Sequence, residues 1–134
     1  MLFRSEELGK EITKYYENDE SELVVVGILR GSTLFFADLI RNINLPILID
    51  FMAISSYGNT SESGVVKIVK DLEADVTGKN ILIVEDIRNI YTYLFCGHMY
   101  RSSCRNLYMF IIYYNIYHFF IHNICSFTKL CLLH

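Results

Sequence analysis

Three short clusters in the first 87 residues have residue types and spacing that can do chemistry. Arg30-Gly31-Ser32 interrupts an apolar run. A Gly-containing turn leading into a helix offers backbone N–H groups to an anion, and Arg30 adds positive charge, so phosphate or pyrophosphate is the natural guest. The plainer alternative is a tight strand-to-helix turn with a solvated Arg30. Glu85-Asp86 sets two carboxylates side by side at the end of another apolar run. Adjacent carboxylates are costly to hold together unless a cation, sugar hydroxyls or a basic side chain shares them. They can also be a solvated strand end, with Asp86 capping the next helix. Ser55-Ser56-Tyr57-Gly58 combines small residues, an aromatic ring and a glycine. That suits a lid over a ligand, and equally an idle surface hairpin.

The elements that must position these clusters follow from hydrophobic periodicity. Leu8, Ile12 and Tyr15 recur at helical spacing among charged residues, and Asn18-Asp19-Glu20-Ser21 ends the pattern, so residues 5–17 read as an amphipathic helix. Leu23 to Leu29 is a continuous, β-branched apolar run, as expected of a strand covered on both faces in a parallel sheet. Thr33 to Ile43, with Leu34, Phe35, Ala37, Leu39 and Ile40, reads as the crossover helix of a βα unit. Pro46 to Ile54 reads as a second strand and Ser55 to Gly64 as a polar loop. Val65 to Lys70 is a third, more polar strand near a sheet edge, and Gly78-Lys79 turns the chain into a fourth, Asn80 to Asp86. The alternation predicts an α/β fold. Ligands of open α/β sheets bind outside the carboxyl ends of the strands, where Arg30-Gly31-Ser32 and Glu85-Asp86 both fall.

Taken in order, Ile28-Leu29-Arg30-Gly31-Ser32, Ile49-Asp50-Phe51-Met52, Ser55-Ser56-Tyr57-Gly58 and Gly78 to Ile87 closely resemble the hypoxanthine (hypoxanthine-guanine) phosphoribosyltransferases, over about residues 6–87. The resemblance implies an incomplete type I phosphoribosyltransferase fold, Rossmann-like, with a mainly parallel sheet, flanking helices and a flexible hairpin loop. It also implies a purine salvage enzyme, which joins hypoxanthine or guanine to 5-phosphoribosyl 1-pyrophosphate to give IMP or GMP and pyrophosphate. By the same resemblance Leu29, Arg30 and Gly31 form the pyrophosphate loop. Ser55, Ser56, Tyr57 and Gly58 belong to the loop that closes over the reactants. Glu85 and Asp86 hold the ribose hydroxyls and help to place Mg²⁺, and the family assembles as dimers or tetramers. The chemistry calls for these parts: departing pyrophosphate gains negative charge that Mg²⁺ and N–H groups stabilise, while nearby carboxylates favour an oxocarbenium-like ribose. Closure keeps water from the activated sugar.

The family pattern continues after Glu-Asp with two apolar residues and an Asp-Thr-Gly loop for the 5′-phosphate. Here the chain reads Ile87-Arg88-Asn89-Ile90-Tyr91. The family's general-base position falls on Asn89, whose amide cannot accept a proton from the purine, so no catalytic residue is assigned and the chain is expected to be inactive as written. Tyr91 stands where Gly lets a phosphate approach the backbone. The family's later Lys, base-stacking aromatic and second Mg²⁺-binding Asp have no counterpart: Lys129 sits in a different context, and no Asp follows Asp86.

Composition changes at the same point. Residues 1–87 hold 8 basic and all 15 acidic side chains, a net charge of −7; residues 88–134 hold 4 basic and no acidic ones, with all four Cys and all four His. Val, Ala, Asp, Glu and Gly, whose codons begin with G, are represented after Ile87 by Gly97 alone. We read residues 1–87 as the N-terminal part of a phosphoribosyltransferase domain and 88–134 as a non-family tail, arising from a frameshift or intron read-through. Leu107 to Ile124 is apolar and free of Pro, a composition that readily becomes helical, but Asn115, His118, His122 and Asn123 argue against a membrane span. His118 and His122 have a metal-like spacing with Cys104 upstream, but seven residues separate Cys96 from Cys104, too many for the usual zinc knuckle. The tail is expected to leave an unsatisfied sheet edge. The net charge of −3 and the absence of a basic stripe exclude nucleic acid as the main partner. Glu6-Glu7 interrupts the amino terminus before a signal-peptide apolar run develops, which predicts a cytoplasmic protein whose cysteines stay thiols.

Overall fold

The computed structural model describes residues 2–57, 65–86, 106–112 and 122–123. In chain order the elements are α1 (Leu2–Tyr16), β1 (Leu23–Leu29), α2 (Thr33–Arg41), β2 (Ile47–Tyr57), β3 (Val65–Lys70), β4 (Asn80–Asp86), β5 (Asn106–Ile112) and β6 (His122–Asn123). Among the described residues the strands form one sheet in the order β3-β2-β1-β4-β5-β6. β1 runs parallel to β2 and β4, β4 runs parallel to β5, and β3 and β6 are antiparallel to their neighbours. This is the predicted α/β architecture with a mainly parallel sheet.

β1 occupies the centre because its sequence is apolar on both faces: Val24, Val25 and Val26 are fully buried. One face packs against α1 and α2 through Leu8, Ile12, Tyr16, Phe35, Phe36 and Leu39, which meet Leu23, Val25, Leu82 and Val84. The other face buries Val24, Val26, Ile28, Met52, Ile81 and Ile83, with Leu72, Ala74 and Val76 laid over them. Those last three belong to a helix-free strap, residues 71–79, that carries the chain from β3 past β2 and β1 to β4. Gly78, at φ 71°, makes its final turn, and Lys79 N–H donates to the Val76 carbonyl at 3.1 Å.

The structure departs from the sequence expectations at several points. α1 begins earlier than predicted because no Gly, Pro or cap stops it before Ser5, and its buried stripe is Ser5, Leu8, Ile12 and Tyr16. Tyr15 is about half exposed, since Tyr16 lies the full helical repeat of four residues from Ile12. In α2 Leu34 points to solvent, and the helix ends at Arg41, where the Asn42 side chain donates to the Asp38 carbonyl at 2.9 Å. β2 does not stop at Ile54: Ser55, Ser56 and Tyr57 continue it, paired with Lys67, Val66 and Val65. Their polarity resembles a loop, but antiparallel pairing with β3 gives their backbone groups hydrogen-bond partners on one side. Gly58 to Gly64 lie outside the described residues.

Residues 106–112, which overlap the segment 107–124 read as readily helical, form a strand that pairs with β4 from Asn80↔Asn106 to Asp86↔Ile112. The open edge of β4 supplies a hydrogen-bonding template, and a run rich in Tyr, Phe and Ile suits it. In place of the unsatisfied sheet edge expected of the tail, β5 pairs with β4 along its whole length, and β6 pairs with β5 at Tyr108 and Met109.

Candidate functional site

The registers bring two of the predicted clusters together. Leu23↔Asn80 to Gly27↔Val84 align β1 and β4 in parallel, so Arg30-Gly31-Ser32 and Glu85-Asp86 leave the same end of the sheet on neighbouring strands. Ser55, Ser56 and Tyr57 lie on β2 beyond Ala53, the partner of the last β1 residue, Leu29. All three clusters thus lie toward one sheet end, as the parallel topology requires.

The turn after β1 is built from local hydrogen bonds. The Leu29–Arg30 peptide is cis. Thr33 N–H and Oγ1 donate to the Arg30 carbonyl at 3.1 and 2.7 Å, and Phe36 N–H donates to the Ser32 carbonyl at 2.8 Å. Ser32 is buried, and its hydroxyl donates back to the Ile28 carbonyl at 2.6 Å. Its side chain is thereby engaged in the turn and does not cap α2. Arg30 and Gly31 are exposed, and Arg30 forms no ion pair among the described residues, leaving a cation and a glycine backbone facing outward at the start of a helix.

Glu85 is buried at 8 % exposure, opposite Ile111 on β5. Asp86 follows it, opposite Ile112. Leu29 is half-buried. The Ser55 Oγ is shut off from solvent with no hydrogen-bond partner among the described residues. Gly58 and Asn89 lie outside the described residues.

Sequence reading missed the role of Asp50, quoted there only within a motif. Asp50 is 7 % exposed. Its Oδ2 accepts from the N–H groups of Glu73 and Ala74 at 2.7 and 2.8 Å, and its Oδ1 from Phe51 N–H at 2.7 Å. Burial pushes its pKa up, but these N–H groups and nearby Lys70 outweigh burial and hold it below the ordinary Asp value. The available signal was a lone carboxylate within the apolar stretch Ile47 to Ile54, which can be buried only if hydrogen-bonded.

Comparisons with known proteins agree with this geometry. The family model of the phosphoribosyl transferase domain matches residues 4–89. The hypoxanthine phosphoribosyltransferase of Haemophilus influenzae is 54% identical over 86 residues, covering 63% of this chain and 48% of that protein. The hypoxanthine-guanine phosphoribosyltransferase of Dictyostelium discoideum is 51% identical over 88 residues, with the same coverage. The crystal structure of a hypoxanthine phosphoribosyltransferase from Staphylococcus aureus superposes with a TM-score of 0.74 at 35% identity, covering 83% of this chain and 61% of that one. The chain spans about half the length of the curated relatives it matches. With residues 4–89 matched, the chain belongs to the phosphoribosyl transferase domain family, and its relatives are enzymes named for hypoxanthine and guanine.

Proposed function

We propose that this chain binds 5-phosphoribosyl 1-pyrophosphate across the carboxyl ends of β1 and β4, in a fold that serves phosphoribosyl transfer to hypoxanthine or guanine in cytoplasmic purine salvage. The observation that carries the reading is the Arg30-Gly31 turn beside Glu85-Asp86 on adjacent parallel strands. One side offers a cation and backbone N–H groups, complementary to pyrophosphate; the other offers carboxylates that accept from ribose hydroxyls. Leu29, Arg30 and Gly31 are assigned to the pyrophosphate, Glu85 and Asp86 to the ribose, and Ser55, Ser56, Tyr57 and Gly58 to the cover over the reactants.

Oxygen donors of the Glu85-Asp86 kind fit Mg²⁺, which is commonly held by one or two carboxylates together with substrate phosphates. When bound, Mg²⁺ supplies charge neutralisation to the departing pyrophosphate. The chain's own residues bind and orient the donor.

Asn89, at the family's general-base position, favours a second reading, donor binding without turnover. Loss of a general base slows proton transfer by about 10²- to 10⁴-fold. Calorimetric titration with the Mg²⁺ complex of the donor, together with a hypoxanthine-consumption assay of the chain and of Asn89→Asp, tests both readings. We expect donor binding, little transfer, and a rise of about 10²- to 10⁴-fold in Asn89→Asp. Binding with no transfer by either chain supports the binding-fragment reading. Absence of binding refutes the proposal.

A further inference from the structure

β2 outruns its neighbour. β1 ends at Leu29, paired with Ala53, so β2 residues 54–57 extend past it and are held by β3 alone. β3 in turn is the edge strand and pairs with β2 only from Ala53 to Tyr57. Its register shifts between Ala53 and Ile54: Ile54 faces Ile68 while Ala53 faces Lys70, leaving Val69 as the extra residue of a bulge. This two-stranded arm is a cantilever, and a two-stranded ribbon alone is marginally stable. Something must hold its base.

Asp50 and Lys70 meet at that base. Asp50 accepts from the strap N–H groups of Glu73 and Ala74, which have no helix or strand to pair with. Lys70, the last residue of β3, donates to the carbonyls of Phe51 and Asp71 at 3.2 and 3.3 Å. It also pairs with Glu73 at 3.1 Å and lies 3.9 Å from Asp50. One node therefore ties the middle of β2, the end of β3 and the start of the strap. Asp50 shares a strand face with Met52 and Ile54, under the strap residues Leu72 and Ala74, so the node is roofed by apolar contacts.

We infer that Asp50, with Lys70, is a positioning pair that fixes the pose of the β2–β3 arm where it extends past the carboxyl end of β1. Its effect on donor binding by Ser55 to Tyr57 rests on the functional reading above. The pair acts through backbone it anchors and does not itself touch the donor.

Hydrogen exchange followed by mass spectrometry on the whole chain, for the native protein, Asp50→Asn and Lys70→Met, tests the pair, with donor affinity measured by calorimetry. In Asp50→Asn, exchange in residues 65–76 should accelerate on the order of tenfold or more, with β1 and β4 unchanged, since a hydrogen bond to a charged acceptor is lost locally. Donor affinity should fall in step, and Lys70→Met should open the same segment less. Equal acceleration in β1 and β4 would mean a general stabilising role and overturns the inference. So does local opening with unchanged donor affinity. If the native chain does not bind the donor, the functional reading fails, and the exchange map alone decides whether the pair positions the arm.

Discussion

At the scale of single residues, Asp50 shows how a buried charge is tolerated. Three backbone N–H groups and a nearby ammonium replace the water it loses, and the ionised form is favoured over the protonated one. The charged groups at the node are Asp50, Lys70 and Glu73. A carboxylate whose folded pKa lies below its unfolded value adds stability above the unfolded pKa, and that contribution is lost as pH falls through the folded one. Denaturant midpoints should therefore drop below about pH 4, and Asp50→Asn should lose less of its stability over the same range. Urea unfolding of both chains between neutral pH and about pH 3 checks this, and parallel curves would contradict it. The exposed Glu6–Lys10 pair on α1 lowers the Glu pKa and raises that of Lys through a hydrogen bond, but water screens such a pair. The candidate site residues Arg30, Gly31, Glu85 and Asp86 were legible as residue types in sequence. Asp50 was not, because its partners Glu73 and Ala74 are more than 20 positions away.

At the scale of elements, helix packing depends on one close approach. A Cβ on Gly9 would lie 2.4 Å from the Asn42 carbonyl oxygen and 2.6 Å from its carbonyl carbon, so α1 meets the end of α2 backbone to side. The contact is reinforced by Asn44 N–H, which donates to Thr13 Oγ1 at 3.0 Å. Gly9→Ala raises helix propensity by about 1 kcal/mol, but forces α1 away from backbone that cannot yield. Overpacking costs about 1–3 kcal/mol, so the net effect should be a lower urea midpoint. A midpoint raised by the substitution would show that the helices slide apart freely. Periodicity revealed the existence of α1, β1, α2, β2, β3 and β4, and β1, β3 and β4 span the residues read as strands from the sequence. It failed at the end of β2, whose last three residues are strand only because β3 returns to pair with them.

At the scale of the molecule, the sheet depends on strands that are distant in sequence. β4 is bordered by β1 on one side and β5 on the other, and its pairing with β5 extends over its whole length. Removing residues 88–134 would strip that side and expose a row of unpaired backbone groups on an apolar strand. A chain ending at Ile87 should associate in a concentration-dependent way, measurable by light scattering, whereas the full chain should scatter less at equal concentration. Equal scattering would mean that β5 does not protect the edge. No helix among the described residues is long and apolar enough to cross a membrane.

The sequence by itself determined the α/β class, the burial of β1 on both faces, the place of β3 near a sheet edge and the candidate clusters at the strand ends. These are local properties: apolar runs, glycine turns and adjacent charges act within a few residues of one another. Tertiary structure alone decided that the 106–112 segment is a strand and that Ser55 to Tyr57 belong to β2. It also decided that Asp50 anchors the strap. In each case the deciding partner is another backbone segment, whose hydrogen bonds override local propensity and whose position only the folded sheet defines.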